Sequence, residues 1–264
     1  MRILSFLLRP SWSAVPWRRE AGHCASSDVE LIDLRTEVAD IPTRTKLCQQ
    51  FFLGIYRAAF PKVDQTETPD VWLPLLNEDR PLPFPLLHLI LARERSRPDH
   101  LLGGMVIEYF RRSQTALATY LAVSPRAQNR GVGRRLLRKG IEVVSADNGG
   151  IPPIILAEVE RPDAQPDEAA RFKAQSRLSV IAALGGRGLK MPYIQPALGL
   201  GQKPVTDLML VVLETDAALN CMPAFPLRVF LEEFFSSLGQ GETSEVQNLL
   251  GSLPLDNIEL FDLQ

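Results

Sequence analysis

An apolar, β-prone run, TALATYLAV, stops at Ser124-Pro125, crosses a short polar loop and reaches Gln128-Asn129-Arg130-Gly131-Val132-Gly133, where a helix-patterned segment begins. No other stretch constrains the fold as tightly. Glycines at this junction let the backbone turn with its N–H groups aimed at one spot, and the first helical turn adds unpaired donors and a positive dipole end. Such a spot suits an anion. Two glycines one residue apart are also what a plain surface turn into a helix looks like, so the elements around them decide the reading.

Those elements fall in a regular order. VELIDLRTE alternates as a first strand, and Lys46 to Phe60 carries apolar residues at helical intervals until Pro61 stops it. A second short helix is expected around Trp72 to Leu76, followed by PLPFP, which cannot be regular structure. LLHLILARE, GGMVIEYF and TALATYLAV read as an antiparallel meander, with RSRPDH and RRSQ as the turns. The segment from Val132 is amphipathic, with Leu136, Leu137, Ile141 and Val144 on one face, and ends near Asn148-Gly149-Gly150. IPPIILAEVE is then a fifth strand, which a helical crossover sets parallel to the fourth. A polar loop, RPDAQPDE, leads to a helix over Ala169 to Leu184, and MPYIQPAL and TDLMLVVLE are expected as the last two strands.

With its Q/R-x-x-G-x-G/A signature placed between strand and helix, the chain resembles the GNAT family of acyl-CoA N-acyltransferases, and the order of elements is similar to that family's over about residues 28 to 217. EVERP and PYIQPAL further resemble a bacterial subgroup with unassigned acceptors. The resemblance implies an α/β (α+β) fold with a central mixed, mostly antiparallel sheet in which strands four and five splay apart. It implies acetyl-CoA or another acyl-CoA as co-substrate, no metal, and an amine acceptor on a small molecule or a protein. Pantetheine would then pair with Leu121, Ala122 and Val123, an N–H near Val123 would polarise the thioester carbonyl, and the pyrophosphate would rest on the N–H groups of Gln128, Asn129, Arg130, Gly131, Val132, Gly133 and Arg134. Among the arginines here, Arg130 and Arg134 are singled out for proximity; the others read as a solvated helix face.

An amine is mostly protonated at neutral pH, so transfer needs a proton acceptor. Glu158 and Glu160 share a face of the fifth strand and Glu108 lies on the third; Glu158, on a β-branched strand, is costly to bury unless used or paired, whereas Glu160 near the strand end reads as solvated. The sequence departs from the family at three positions. Leu117 stands where some members carry a glutamate base, Ile181 where many carry a tyrosine acid, and Ala174 where an asparagine often precedes that tyrosine. Tyr109, Tyr120 and Tyr193 are the replacements to test, with Tyr193 joining Glu158 and Glu108 in the candidate catalytic set. The rival reading is a GNAT-fold protein that binds acyl-CoA but transfers little, acting as a sensor or interaction module.

Composition narrows the rest. A formal net charge of -2 gives no indication of a nucleic acid or anionic membrane partner. Cys24, Cys48 and Cys221 lack metal or disulfide spacing, and His23, His88 and His100 are dispersed. Reduced thiols point to a cytoplasmic protein; the Arg- and Ser-bearing residues 1–27, with no acid before Glu20, offer a mitochondrial targeting segment as the alternative. Residues 28–217 are expected as the acyltransferase domain and 218–264 as a helical extension. In that extension, Val229, Phe230, Phe234 and Leu238 of LRVFLEEFFSSLG pack against the core, and SEVQNLLGSL forms a second helix. The sequence leaves open whether the chain works alone or as a homodimer.

Overall fold

In the computed structural model, residues 28–213 and 219–263 are described; the N-terminal segment with its targeting-like composition lies outside them. Strands β1 (Val29–Asp33), β2 (Leu86–Glu94), β3 (Arg97–Phe110) and β4 (Thr115–Val123) form the antiparallel meander. After helix α4 (Val132–Asp147), β5 (Ile154–Glu160) returns parallel to β4. The sheet continues through β7 (Leu208–Val212), β6 (Arg187–Leu189), β9 (Asn257–Asp262) and β8 (Cys221–Pro223), in the order β1-β2-β3-β4-β5-β7-β6-β9-β8.

Four sequence expectations need correction. The first helix, α1 (Ile41–Phe51), starts ahead of Lys46, because Asp40 caps it through the Thr43 N–H at 2.9 Å and Pro42 fits its first turn. It runs on through a π-helical turn (Phe52–Tyr56) into α2 (Arg57–Ala59). RSRPDH is not a turn throughout: β3 begins at Arg97, and Pro98 is tolerated because this part of β3 extends past its β4 pairing, which begins at Gly103. MPYIQPAL forms no strand beyond one bridge, Gln195 to Val205, since Pro192 and Pro196 cannot donate to a ladder; Arg187–Leu189 is the strand instead. β9 is the fourth: residues 257–262, read as part of a helical extension, pair antiparallel with β6 and lengthen the main sheet.

Helices cover both faces. Val106 and Phe110 of β3 point to the same face by strand periodicity. On that face, α1 and α3 (Pro69–Asn77) pack Phe51, Tyr56 and Trp72 against Leu89, Leu91, Val106 and Tyr120. Farther along it, α6 (Ala224–Ser237) and α7 (Ser244–Ser252) bury Phe230 and Phe234 against Phe110, Leu117, Leu156 and Leu210. The opposite face carries α4 and α5 (Glu168–Ala183), packing Leu136, Leu137 and Leu178 over Met105, Ile107 and Ile155. A buried carboxylate ties α6 to the β3–β4 turn: Glu233 accepts from the N–H groups of Arg112 at 3.0 Å and Ser113 at 2.9 Å.

Two irregularities place the site. β4 and β5 pair only over Thr115–Leu117 and Ile154–Leu156, after which they diverge. β4 also bulges against β3: Glu108 pairs with Leu117 and Val106 with Tyr120, so three steps on β4 match two on β3. Leu117, Tyr120 and Ala122 consequently share the α1/α6 face, whereas Ala116, Ala118, Leu121 and Val123 pack on the α4/α5 face.

Candidate active site

Beyond the bulge, main-chain groups of β4 alternate between β3 and the open gap. The Ser124 N–H donates to Leu102 O at 2.8 Å, which turns Leu121 and Val123 outward to the gap and Ala122 inward to its partner Gly104. Of the three residues expected to pair with pantetheine, two therefore turn their backbone away from β3, although the Val123 carbonyl accepts from Gln128 Nε2 at 3.4 Å. Ala122 does not.

The chain then passes through a 3-10 turn (Pro125–Ala127) and reaches α4 through two left-handed residues, Asn129 (φ 59°) and Gly131 (φ 72°). Gly131 is the N-cap, and a side chain there would be strained by the backbone alone. No side chain caps the helix and no acid lies in its first turn, so the first amides stay available for an external anion. Gly133 is different. A Cβ there would meet Val123 and Leu121 at ordinary contact distances of 3.7 and 3.8 Å, so the protein itself does not demand glycine. Its smallness keeps clear the space over the two outward-facing β4 residues. Gln128, Asn129, Arg130 and Arg134 are exposed around this turn, and Val132 is buried beneath it.

On the opposite face, between α3 and α6, a cavity of about 160 Å³ reaches the sheet where β4 and β5 part. Its inner end holds Glu67, Glu108, Glu158 and Thr119; its walls include Val71, Leu75, Phe84, Phe234 and Leu238. Glu108 accepts from Thr119 Oγ1 at 2.7 Å, and Glu67 from Trp72 Nε1 at 2.9 Å. Glu158 is held at both oxygens, by the Tyr193 hydroxyl at 2.5 Å and Gln195 Nε2 at 2.8 Å. Burial raises all three carboxyls. It lifts Glu67 to about 7 with the Glu158 charge adding, and Glu108 to about 8 with Glu67 and Glu158 adding; in Glu158 it outweighs its two donors. Burial beside Glu158 likewise holds the Tyr193 phenol well above its usual range.

Glu158, Glu108 and Tyr193 thus come together, although 85 residues separate the outermost two in sequence (193 − 108). Glu67, Thr119 and Gln195 complete the cluster without having been foreseen. Glu67 lies in an irregular segment between two helices and offers no periodic signal. The remaining tyrosines lead elsewhere: Tyr109 donates to Asn148 at 2.7 Å, and Tyr120 sits in an aromatic group with Tyr56, Phe60 and Trp72. Glu160 is not solvated; it pairs with Lys62 at 2.7 Å and with Arg177. Leu117 and Ala174 are buried and Ile181 packs against the α4/α5 core, so none of them serves as acid or base. Among the described residues no group of metal-ligating side chains forms, and no helix is long and apolar enough to cross a membrane.

Residues 50–166 match the model of the acetyltransferase (GNAT) family. A solved structure described as an acetyltransferase of that family, from Bacteroides thetaiotaomicron, aligns over 76% of this chain and 94% of its own at a TM-score of 0.52 and 16% identity. The chain has the GNAT acyltransferase fold. The GNAT-family acetyltransferase from Staphylococcus aureus Mu50 aligns over 70% of this chain and 97% of its own (14% identity, TM-score 0.45). One from Elizabethkingia anophelis with acetyl-CoA bound covers 72% and 99% (15% identity, TM-score 0.37). No curated protein matches. Within the GNAT fold described here, the splayed strands lie between two features on opposite sheet faces: an uncapped helix start on one and a carboxylate-lined cavity on the other.

Proposed function

We propose that this protein is an acyl-CoA-dependent N-acyltransferase that moves an acetyl group to a primary amine. The observation that carries the reading is the gap between β4 and β5, with uncapped backbone amides on one face and a buried carboxylate cavity on the other. The family match over residues 50–166 supports it. Leu121 and Val123 present strand-like main chain to the pantetheine arm, and the N–H groups from Gln128 to Arg134 hold the pyrophosphate, with Arg130 and Arg134 nearby.

An acceptor ammonium entering the cavity first gives up a proton. Glu108 is the proton acceptor: it lines the cavity, and its affinity near 8 matches work at neutral pH. The freed amine attacks the thioester carbonyl, whose oxygen is polarised by the outward N–H of Val123; the C–S bond breaks, the nitrogen's second proton passes to Glu158, and the thiolate leaves. Glu158, fixed by Tyr193 and Gln195, holds the anionic end of the cavity and orients the amine. Tyr193 is the only hydroxyl bonded to that carboxylate among the described residues and is the candidate for returning a proton to the sulfur through it. We place the reaction in the cytoplasm.

Titration calorimetry with coenzyme A, followed by thiol release from acetyl-CoA across an amine panel, tests the assignment. Heat of binding with acceptor-dependent thiol release is expected. Binding without release would favour the acyl-CoA sensor, a reading kept alive by Ile181 and Ala174 on α5. Absence of binding would refute both.

A further inference from the structure

The inner end of the cavity holds more carboxyl groups than one reacting ammonium can pair with. Glu67, Glu108 and Glu158 all line it, are each at most partly exposed, and feel one another's charge. Glu67 and Glu108 are at least nine-tenths buried (9% and 7% exposed), and each uses one carboxylate oxygen for a single side-chain donor. Their second oxygens have no hydrogen-bond partner among the described residues, yet neither is sealed off from the cavity. Among the described residues the only basic side chain in the lining is Arg80, whose guanidinium lies 4.1 Å over the Phe84 ring. Buried carboxylates in this number need cations or protons to offset their lost hydration.

Building on the acyltransferase reading, we propose that the acceptor is an alkyl diamine, or the diamine end of a longer polyamine. One nitrogen loses its proton to Glu108 and reacts beside Glu158, while the second stays an ammonium ion against Glu67. The walls fit such a molecule. Val71, Leu75, Phe84, Phe234 and Leu238 offer apolar surface to a methylene spacer, and Asp70 adds a further carboxylate to the lining and Ser237 a hydroxyl. The size fits as well: an apolar cavity of about 150 Å³ takes a six-heavy-atom ring, and 1,4-diaminobutane has as many heavy atoms. A monoamine of equal length would leave Glu67 facing a methyl group. An acceptor with a carboxylate or phosphate near its amine would meet like charge.

The test compares 1,4-diaminobutane with 1-aminobutane and 4-amino-1-butanol on the full chain. Thiol release from acetyl-CoA gives kcat/KM, and calorimetry with the coenzyme A-loaded protein gives binding. A charge-assisted contact made only by the diamine should raise its kcat/KM and its affinity about ten- to hundredfold over both comparison amines. In Glu67→Gln, which keeps an acceptor for the Trp72 N–H, the ratio of diamine to monoamine should fall to within about threefold of one. Equal kcat/KM for the three amines overturns the diamine assignment while leaving the transferase reading intact. A diamine preference in binding without thiol release from any amine supports the dication site and instead overturns the transferase reading. The wild-type comparison decides the matter even where the variant fails to fold.

Discussion

His88 offers a prediction whose size can be worked from the structure. Its ring is fully buried, with Nδ1 at 2.8 Å from Asp33 Oδ2 and Nε2 at 2.7 Å from Asp147 Oδ2, joining β1, β2 and the end of α4. Burial disfavours the imidazolium, but hydrogen bonds and charge from both aspartates outweigh it and push the histidine up to about 9. Asp33 shows the same contact from the other side: burial raises it, and His88 with Thr36 and the Arg35 N–H brings it below its usual value. The two shifts describe one interaction and are not added. Raising a histidine from its ordinary 6.5 to about 9 corresponds to about 3 kcal/mol, at about 1.4 kcal/mol per factor of ten.

Because the folded state holds the proton more tightly, this contribution is complete below about pH 6.5 and is lost as the pH rises through about 9. Glu67 and Glu108 overlap this window. Their values lie above the unfolded ones, so they too make stability fall as pH rises, from the ordinary carboxylate range to about 7 and about 8. The histidine's share is therefore read as the difference in unfolding free energy between wild type and His88→Gln, from urea denaturation at several pH values. That difference should shrink by about 3 kcal/mol between pH 6 and pH 9.5. A difference independent of pH over this range would refute the charged-histidine clamp.

Three further outcomes follow from the site and its supports. Gly131→Val, at a φ of 72°, should weaken coenzyme A binding at least about tenfold in calorimetry, since a β-branched residue strains a left-handed N-cap; unaltered affinity would remove this turn from the binding site. In wild type kcat/KM should rise with pH toward about 8 as Glu108 ionises, and Glu108→Gln should lose about 10²- to 10⁴-fold in rate together with that limb of the profile; a variant with the wild-type profile excludes Glu108 as proton acceptor. Glu233→Ala should leave the Arg112 and Ser113 N–H groups unanswered and cost about 2–3 kcal/mol in denaturant melts; a change below about 0.5 kcal/mol would show that water replaces the carboxylate.

The parts of the fold readable in the sequence were those with a period or an unbroken apolar run. The runs of β2 to β4, the α4 stripe over Leu136, Leu137 and Val144, and the glycine turn all gave local signals that packing preserved. Glu108 and Glu158 were legible as acids on apolar strands. Their neighbours were not, because Glu67 reaches the cluster only when Trp72 donates to it across a helix start, and Gln195 only when a proline-broken segment folds back onto β5. β9 was hidden for another reason: its exposed residues alternate with only two buried ones, Ile258 and Leu260, and its partner is a three-residue strand that is itself hard to see.

The extra residue in β4 acts as a phase slip in the strand's alternation. Before it, odd-numbered positions face the α1/α6 side, as Leu117 does under α6; after it, even-numbered ones do, which is how Tyr120 joins the aromatic group beneath α1 and α3 while Leu121 and Val123 face α4. Removing one residue at Ala118 or Thr119 would restore ordinary alternation and send each later side chain through the sheet. Both half-sites would then be lost in a single step, with every residue that builds them still present in the polypeptide.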